Sequence, residues 1–242
     1  MVLGRSKLAL NVNTYYTYWK NKPVDVATTV QFGDETRKVN INGMNARHMG
    51  IEMDLAWNVH PKFTVEAIAS VADWTWQSQV SNLVLRDEDG RPAVDPSTGE
   101  ALSINFDARG VHVGNAAQTQ LGTMLRYQPF KRLYFKVRGT YFGRQFGDFD
   151  PFSLSGNNAQ RESWAMPDYL LTELHAGYGF QWKKTSINFT TSVLNALDAT
   201  FITDARNNDV NVTPATSNFD AASASVFFGD GRRWNLGVTL TF

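Results

Sequence analysis

The sequence predicts an all-β fold, a transmembrane antiparallel β-barrel with about eight strands present. Three observations predict it. Apolar and polar residues alternate with a period of two over long stretches. At membrane depth the apolar sides of those stretches carry no charge, while the polar sides carry Lys, Arg, Asp and Glu. A soluble barrel inverts that arrangement. Finally, long and short connections alternate strictly, as in barrels with tight turns on one side of a membrane and long loops on the other.

The first strand is expected over about Lys7 to Trp19, with Leu8, Leu10, Val12, Tyr16 and Tyr18 opposite Lys7, Asn11, Asn13 and Thr17. The second, about Arg47 to Val59, alternates without a break: Met49, Ile51, Met53, Leu55, Trp57 and Val59 lie opposite His48, Glu52, Asp54 and Asn58. That run is about twice the usual soluble strand of ~6 residues. The third runs about Phe63 to Ala72 and the fourth about Gln118 to Gln128. The fifth sets Leu133, Phe135, Val137 and Tyr141 against Tyr134, Lys136, Arg138 and Thr140. The sixth sets Leu170, Leu174, Ala176, Tyr178 and Phe180 against Tyr169, Glu173 and His175. The seventh has Ile187, Phe189 and Val193 on its apolar side, and the eighth has Trp234, Leu236, Val238, Leu240 and Phe242. Tight turns are expected at His60-Pro61-Lys62, Pro129 to Arg132 and Gln181 to Lys184, and long links at about 20–46, 73–117, 143–168 and 195–231. This parity places both termini at the periplasmic side. It also predicts that Leu55→Arg, nearer the periplasmic interface, is milder than Ile51→Arg.

Composition agrees. The chain has 242 residues and zero formal net charge, so nothing points to nucleic acid as a partner. Cysteine is absent, which excludes disulfides and thiolate metal sites. Sixteen Phe, eight Tyr and seven Trp supply material for interfacial girdles. Trp57, Phe63, Phe130, Phe180, Trp182 and Phe242 are expected at the periplasmic girdle, and Tyr16, Tyr18, Trp19, Trp74, Trp76, Tyr141 and Phe142 at the outer one. The stretch Met1 to Lys7 lacks the apolar core of a signal peptide, and the chain is expected to be a fragment of a longer protein.

Motifs for chemistry are sparse, and neither a cofactor nor a catalytic or metal site is expected. His48, His60, His112 and His175 fall on separate elements without metal-ligand spacing. Asp87-Glu88-Asp89-Gly90 lacks the later ligands of an EF-hand; with Pro92, Asp95, Pro96 and Gly99 it reads as a hydrophilic loop. Asn207, Asn208, Asp209 and Asn211 read as a second polar loop. Glu52 and Asp54 share a strand face and are expected to pair with Arg126, Lys136 or Arg138 rather than to act as acid and base. Ligand contacts are expected on the outer loops and upper lumen, at Trp74, Trp76, Tyr141, Phe142, Arg144, Phe146, Phe149 and Trp164, because aromatic rings stack and Arg holds anions.

Several phrases carry a family resemblance: Gly50-Ile51-Glu52-Met53-Asp54, Gly110 to Gln118, Asp148-Phe149-Asp150-Pro151, Trp164 to Tyr169, Ser192-Val193-Leu194-Asn195-Ala196-Leu197-Asp198, and Gly231 to Phe242. In this order they resemble the C-terminal barrel portion of TonB-dependent outer-membrane receptors. The resemblance implies that residues 1–242 are part of a barrel of about 22 strands, without the family's plug domain. It implies ligand uptake, with an iron chelate as the default cargo and sugars, peptides and cobalamin as other options. It implies no enzymatic activity, outer-membrane lipid as surroundings, and TonB engaged only through the missing plug. It also implies that Phe242 is the signal read by the barrel assembly machinery. Two alternatives stay open: a small self-closed barrel acting as an anchor or adhesin, and an outer-membrane hydrolase.

Overall fold

A computed structural model describes residues 7–32, 35–86, 89–94, 98–207 and 220–242. Among the described residues twelve strands form in chain order: β1 Leu8–Phe32, β2 Glu35–His60, β3 Phe63–Trp76, β4 Gln79–Val84, β5 Ser103–Asp107, β6 Thr119–Phe130, β7 Leu133–Gly143, β8 Tyr169–Trp182, β9 Thr185–Leu194, β10 Ile202–Asn207, β11 Ala224–Phe228 and β12 Arg233–Thr241. Eight of them make one antiparallel meander, β1-β2-β3-β6-β7-β8-β9-β12; β4 with β5 and β10 with β11 form separate hairpins.

Opposed residues of an antiparallel pair project to the same side, so the register tests the expected faces directly. One row runs Leu10–Leu55–Ala67–Thr123–Gly139 and the next Leu8–Trp57–Val65–Leu125–Val137–Leu174–Val193–Trp234. Both belong to the apolar face. The alternate rows, such as Thr64–Arg126–Lys136–His175–Ser192–Asn235, make the polar face. The apolar face is bare: Ile51 is 56% exposed and Leu236 84%. An uncovered apolar surface of this extent needs a non-aqueous neighbour.

The three short turns each hold two residues, Pro61-Lys62, Lys131-Arg132 and Lys183-Lys184. We call that side the turn end. The opposite, loop end departs from the expected links. Link 20–46 is an extension of the β1–β2 hairpin, with register shifts after Trp19. Links 73–117 and 195–231 contain the β4–β5 and β10–β11 hairpins. Of the two polar loops expected there, Asp87, Glu88, Asp95, Pro96, Asn208, Asp209 and Asn211 lie outside the described residues.

The compact hydrophobic core lies at the loop end, where these links pack against the upper parts of β2 and β3. Ile41, Met44, Trp76, Phe106, Val111, Phe149 and Leu154 pack together at the loop end. The segment after β5 runs beside the top of β3, with Trp76 N donating to Val111 O at 2.8 Å and Val113 N to Trp74 O at 2.9 Å. Next comes the segment after β7, where Asn115 N donates to Phe146 O and Gly147 N to Trp164 O, each at 2.9 Å. Asp148 N then donates to Ala205 O of β10 at 2.8 Å. The wall thus continues past the eight-strand sheet by exchanging neighbours.

Asp107 ties this layer together. Its carboxylate accepts from Arg109 Nη2 at 2.6 Å, Arg109 Nε at 2.9 Å and Gln160 Nε2 at 2.7 Å, while Asp107 N donates to Leu154 O at 3.1 Å. The Arg109 hydrogen bonds hold the carboxyl well below the usual carboxylate range, with Gln160 assisting. A depressed folded-state pKa gives stability that is present above the unfolded value of about 4 and lost as pH falls below it. Asp107→Asn is therefore expected to weaken protection of residues 144–168 by about 1–3 kcal/mol at neutral pH, read by hydrogen exchange. The gap from the parent protein should narrow progressively below about pH 4; a pH-independent gap contradicts the assignment.

One further expectation is revised, and one alternative loses support. Among the outer girdle candidates, Tyr16, Tyr18 and Tyr141 do project to the apolar face, opposite Met49, Arg47 and Leu170. Trp19, Trp74 and Phe142 project to the polar face, opposite Ala46, His48 and Tyr169, and Trp76 is buried in the loop core. Nearness to a strand end does not fix the face: alternation puts the neighbours Tyr18 and Trp19 on opposite sides. The meander is also open: β1 and β12 are its two edges and do not pair with each other among the described residues. This arrangement is not that of a self-closed eight-strand barrel.

Candidate functional site

Polar-face residues at the loop end line a concavity. Phe142 of β7 stacks on Tyr169 of β8 with ring centroids 4.9 Å apart, and Tyr169 stacks on Phe201 at 4.6 Å. The ladder leads into a cavity of about 350 Å³ lined by Phe201, Phe228, Leu171, Glu173, Asp230 and Arg233 among others. Asn195 builds its far wall. At a left-handed φ of 47°, its amide donates to Ala199 O at 2.8 Å and Asp230 O at 3.1 Å and accepts from Ala199 N at 2.9 Å. Asp198, also left-handed, accepts from Arg232 N at 2.9 Å. The Asn195-to-Asp198 phrase thus closes β9 and pins the start of β12. Charge at the cavity is balanced: Arg233 meets Asp230 at 2.8 Å, and Glu173 lies 3.2 Å from His175 Nε2 and 3.5 Å from Arg138. Aromatic walls with paired charges suit a planar, polar ligand.

A second aromatic group stands on the same face at β1–β3. His48 stacks on Trp74 at 4.9 Å, Trp19 meets His48 edge-on at 6.3 Å, and Trp74 Nε1 donates to Tyr15 Oη at 2.8 Å. Tyr15 lies across Gly50, where a Cβ would sit 2.6 Å from its hydroxyl, so the glycine lets the ring lie flat. Gln118, almost fully buried, holds Trp74 by accepting from its N at 3.0 Å and donating to its O at 3.2 Å.

The residues expected to bind ligand are not gathered in one place. Trp76 and Phe149 meet edge-on at 6.3 Å inside the loop core. Phe146 is buried and stacks on His112 at 4.2 Å. Trp164 is half-buried, Arg144 is exposed, and Trp74 and Phe142 face the lumen side. Tyr169, Phe201 and Phe228 were not singled out by the sequence: Tyr169 read as one polar-face residue among several, and the other two lay inside an undivided link.

Nor do the histidines meet. His112 sits between Glu162, 2.5 Å from Nδ1, and Asp73, 3.6 Å from Nε2. His175 Nδ1 is 2.8 Å from Ser192 Oγ, and His60 Nδ1 accepts from Lys62 N at 3.2 Å. The expected pairing of Glu52 and Asp54 with the cations of β6 and β7 does not occur. Asp54 accepts from Asn11 at 2.7 Å. Arg126 and Lys136 instead flank the ring of Tyr134 at 5.2 and 5.3 Å, and Arg138 meets Glu173. Glu52 and Asp54 of β2 stay apart from the cations of β6 and β7 because β3 runs between them.

Residues 2–196 match the model of the family described as TonB dependent receptor-like, beta-barrel. No curated protein matches the sequence. Among solved structures, the chain resembles the siderophore receptor PiuA from Acinetobacter baumannii at a TM-score of 0.55 and 16% identity, covering 96% of this chain and 26% of that one. It resembles a chain of the FpvAI-pyocin S2 complex at a TM-score of 0.51 and 17% identity, covering 96% and 24%. The chain thus spans about a quarter of the length of these structures. At such identities the likeness concerns the fold. The open meander, its apolar outer face and the match over most of its length agree: the chain belongs to the TonB-dependent receptor-like β-barrel family.

Proposed function

We propose that residues 1–242 form the C-terminal part of the wall of an outer-membrane receptor that takes up a small ligand, with an iron chelate as cargo. The observation that carries this reading is the aromatic ladder Phe142–Tyr169–Phe201 opening into a cavity beside Arg233, on the polar face at the loop end. Stacked rings suit a planar chelate, and the Arg233–Asp230 pair offers a donor and an acceptor to its polar groups. The resemblance in fold to a siderophore receptor supports the same cargo class. On this reading TonB acts through a plug domain outside this chain, and the wall catalyses no reaction. An anchor or adhesin role for a self-closed barrel draws no support from an open sheet.

Cells lacking the protein are expected to lose uptake of at least one labelled iron chelate, and a protonophore should abolish that uptake in the parent strain. Unchanged uptake of catecholate and hydroxamate chelates overturns the cargo. Uptake that survives the protonophore overturns the TonB coupling.

Assembly supplies a further expectation. Phe242 continues the apolar parity of Leu240 and is 93% exposed. Deleting it is expected to reduce the heat-modifiable, membrane-inserted form several-fold, because a terminal aromatic on the lipid side is available to assembly machinery. Normal insertion after deletion contradicts that role.

A further inference from the structure

A second concavity lies on the opposite, apolar face. Near the loop end of β1–β3, a groove of about 580 Å³ runs across three strands. Its walls are the register rows Thr14–Ile51–Val71 and Tyr16–Met49–Asp73, and its floor is the backbone of Tyr15, Gly50 and Ala72. Both rows project to the face that meets lipid. Arg144 closes the groove's rim.

The rim is specific. Arg144 takes a left-handed φ of 52°, a conformation that a non-glycine residue holds only when its surroundings impose it. Its Nη1 donates to Ala72 O at 2.9 Å. No carboxylate engages its guanidinium among the described residues. Of the two acids nearby, Asp73 is held by Arg47 at 2.7 Å and faces His112 at 3.6 Å. Asp168 accepts from Tyr141 Oη at 2.5 Å and from the Arg144 amide at 3.2 Å. The Arg47–Asp73 pair and the exposed Tyr16 ring mark this level as the lipid–water boundary.

We infer that this groove binds a phosphorylated lipid, with an acyl chain against Ile51, Val71 and Met49 and the phosphate on Arg144. Ordinary annular lipid needs no directed cation, and a free anion needs no apolar groove; an amphiphile with an anionic head uses both. The guanidinium fork matches phosphate oxygens, and its remaining N–H groups have no protein acceptor among the described residues. The inference rests on the membrane placement proposed above but not on the cargo.

Native mass spectrometry of the detergent-extracted, outer-membrane form of the complete protein tests it, with phosphatidic acid, diacylglycerol and inorganic phosphate as probes. Phosphatidic acid is expected to be retained over diacylglycerol. Arg144→Gln should weaken that retention about ten-fold, the loss of one charge-assisted contact. Val71→Trp, which fills the groove and leaves Arg144 in place, should weaken it as well and carries the test if Arg144→Gln fails to fold. Equal retention of diacylglycerol, unchanged binding in both variants, or displacement of the lipid by inorganic phosphate overturns the site. A parent protein that shows no heat-modifiable form sinks the membrane placement instead, so the two failures are distinguishable.

Discussion

Met53→Arg is expected to abolish most membrane insertion of the protein, with Ile51→Arg and Leu55→Arg milder and similar to each other. Met53 lies on the lipid face between Val12 and Ala69. The Arg47–Asp73 ion pair marks the upper limit of that face on β2, and Val59, the last outward-facing residue before the Pro61-Lys62 turn, marks the lower, so that Met53 lies midway between them. Six residues at about 3.3 Å each run roughly 20 Å along the strand. A tilt of about 45° shortens this to roughly 14 Å, half the hydrocarbon thickness of about 30 Å. Met53 is therefore the midplane residue, where an arginine costs about 2–4 kcal/mol. Sequence spacing alone ranks Ile51 deeper than Leu55, because the upper limit of the strand was unknown; the ion pair puts both one outward-facing position from the centre. Heat-modifiable mobility of the three variants decides it: equal losses, or normal insertion of Met53→Arg, contradict this depth.

Tyr169→Ala is expected to reduce chelate uptake and affinity roughly ten-fold or more, since it removes both stacking contacts of the ladder at about 0.5–1.5 kcal/mol each. Tyr169→Phe keeps the ring and should retain most of the activity. The two variants should insert equally, because Tyr169 projects away from lipid. If ligand binding survives the alanine variant with insertion intact, the ladder serves only to hold the Phe201 segment against β8.

What was legible in the residues, and what was not, follows from the range of the interactions. All eight strands of the meander and every face assignment within the membrane span follow from alternation, because lipid imposes one simple demand on every second residue. The loop end obeys no such rule. Its β4–β5 and β10–β11 hairpins are held by contacts distant in sequence, such as Asp107 with Gln160 and Asp148 with Ala205. Phe146 and Phe149 looked like ligand contacts because they are aromatic and lie in a loop; the packed layer uses them as core. Trp74 looked like a girdle residue because it ends a strand, yet its register partner His48 places it on the other face. The ladder joins three residues from separate segments, which no local pattern announces.

The two edges of the meander carry an arithmetic constraint. β1 rises from the turn end and β12 descends towards it. They are already antipodal in direction, so whatever polypeptide bridges them in a fully antiparallel ring must contribute an even number of crossings. An odd insertion would force one parallel seam, with slanted hydrogen bonds and a mismatch of the lipid-facing parity along its length. Circular completion of this wall is thus quantised in hairpins: the unit of growth is the pair, and a lone added strand has no place to close.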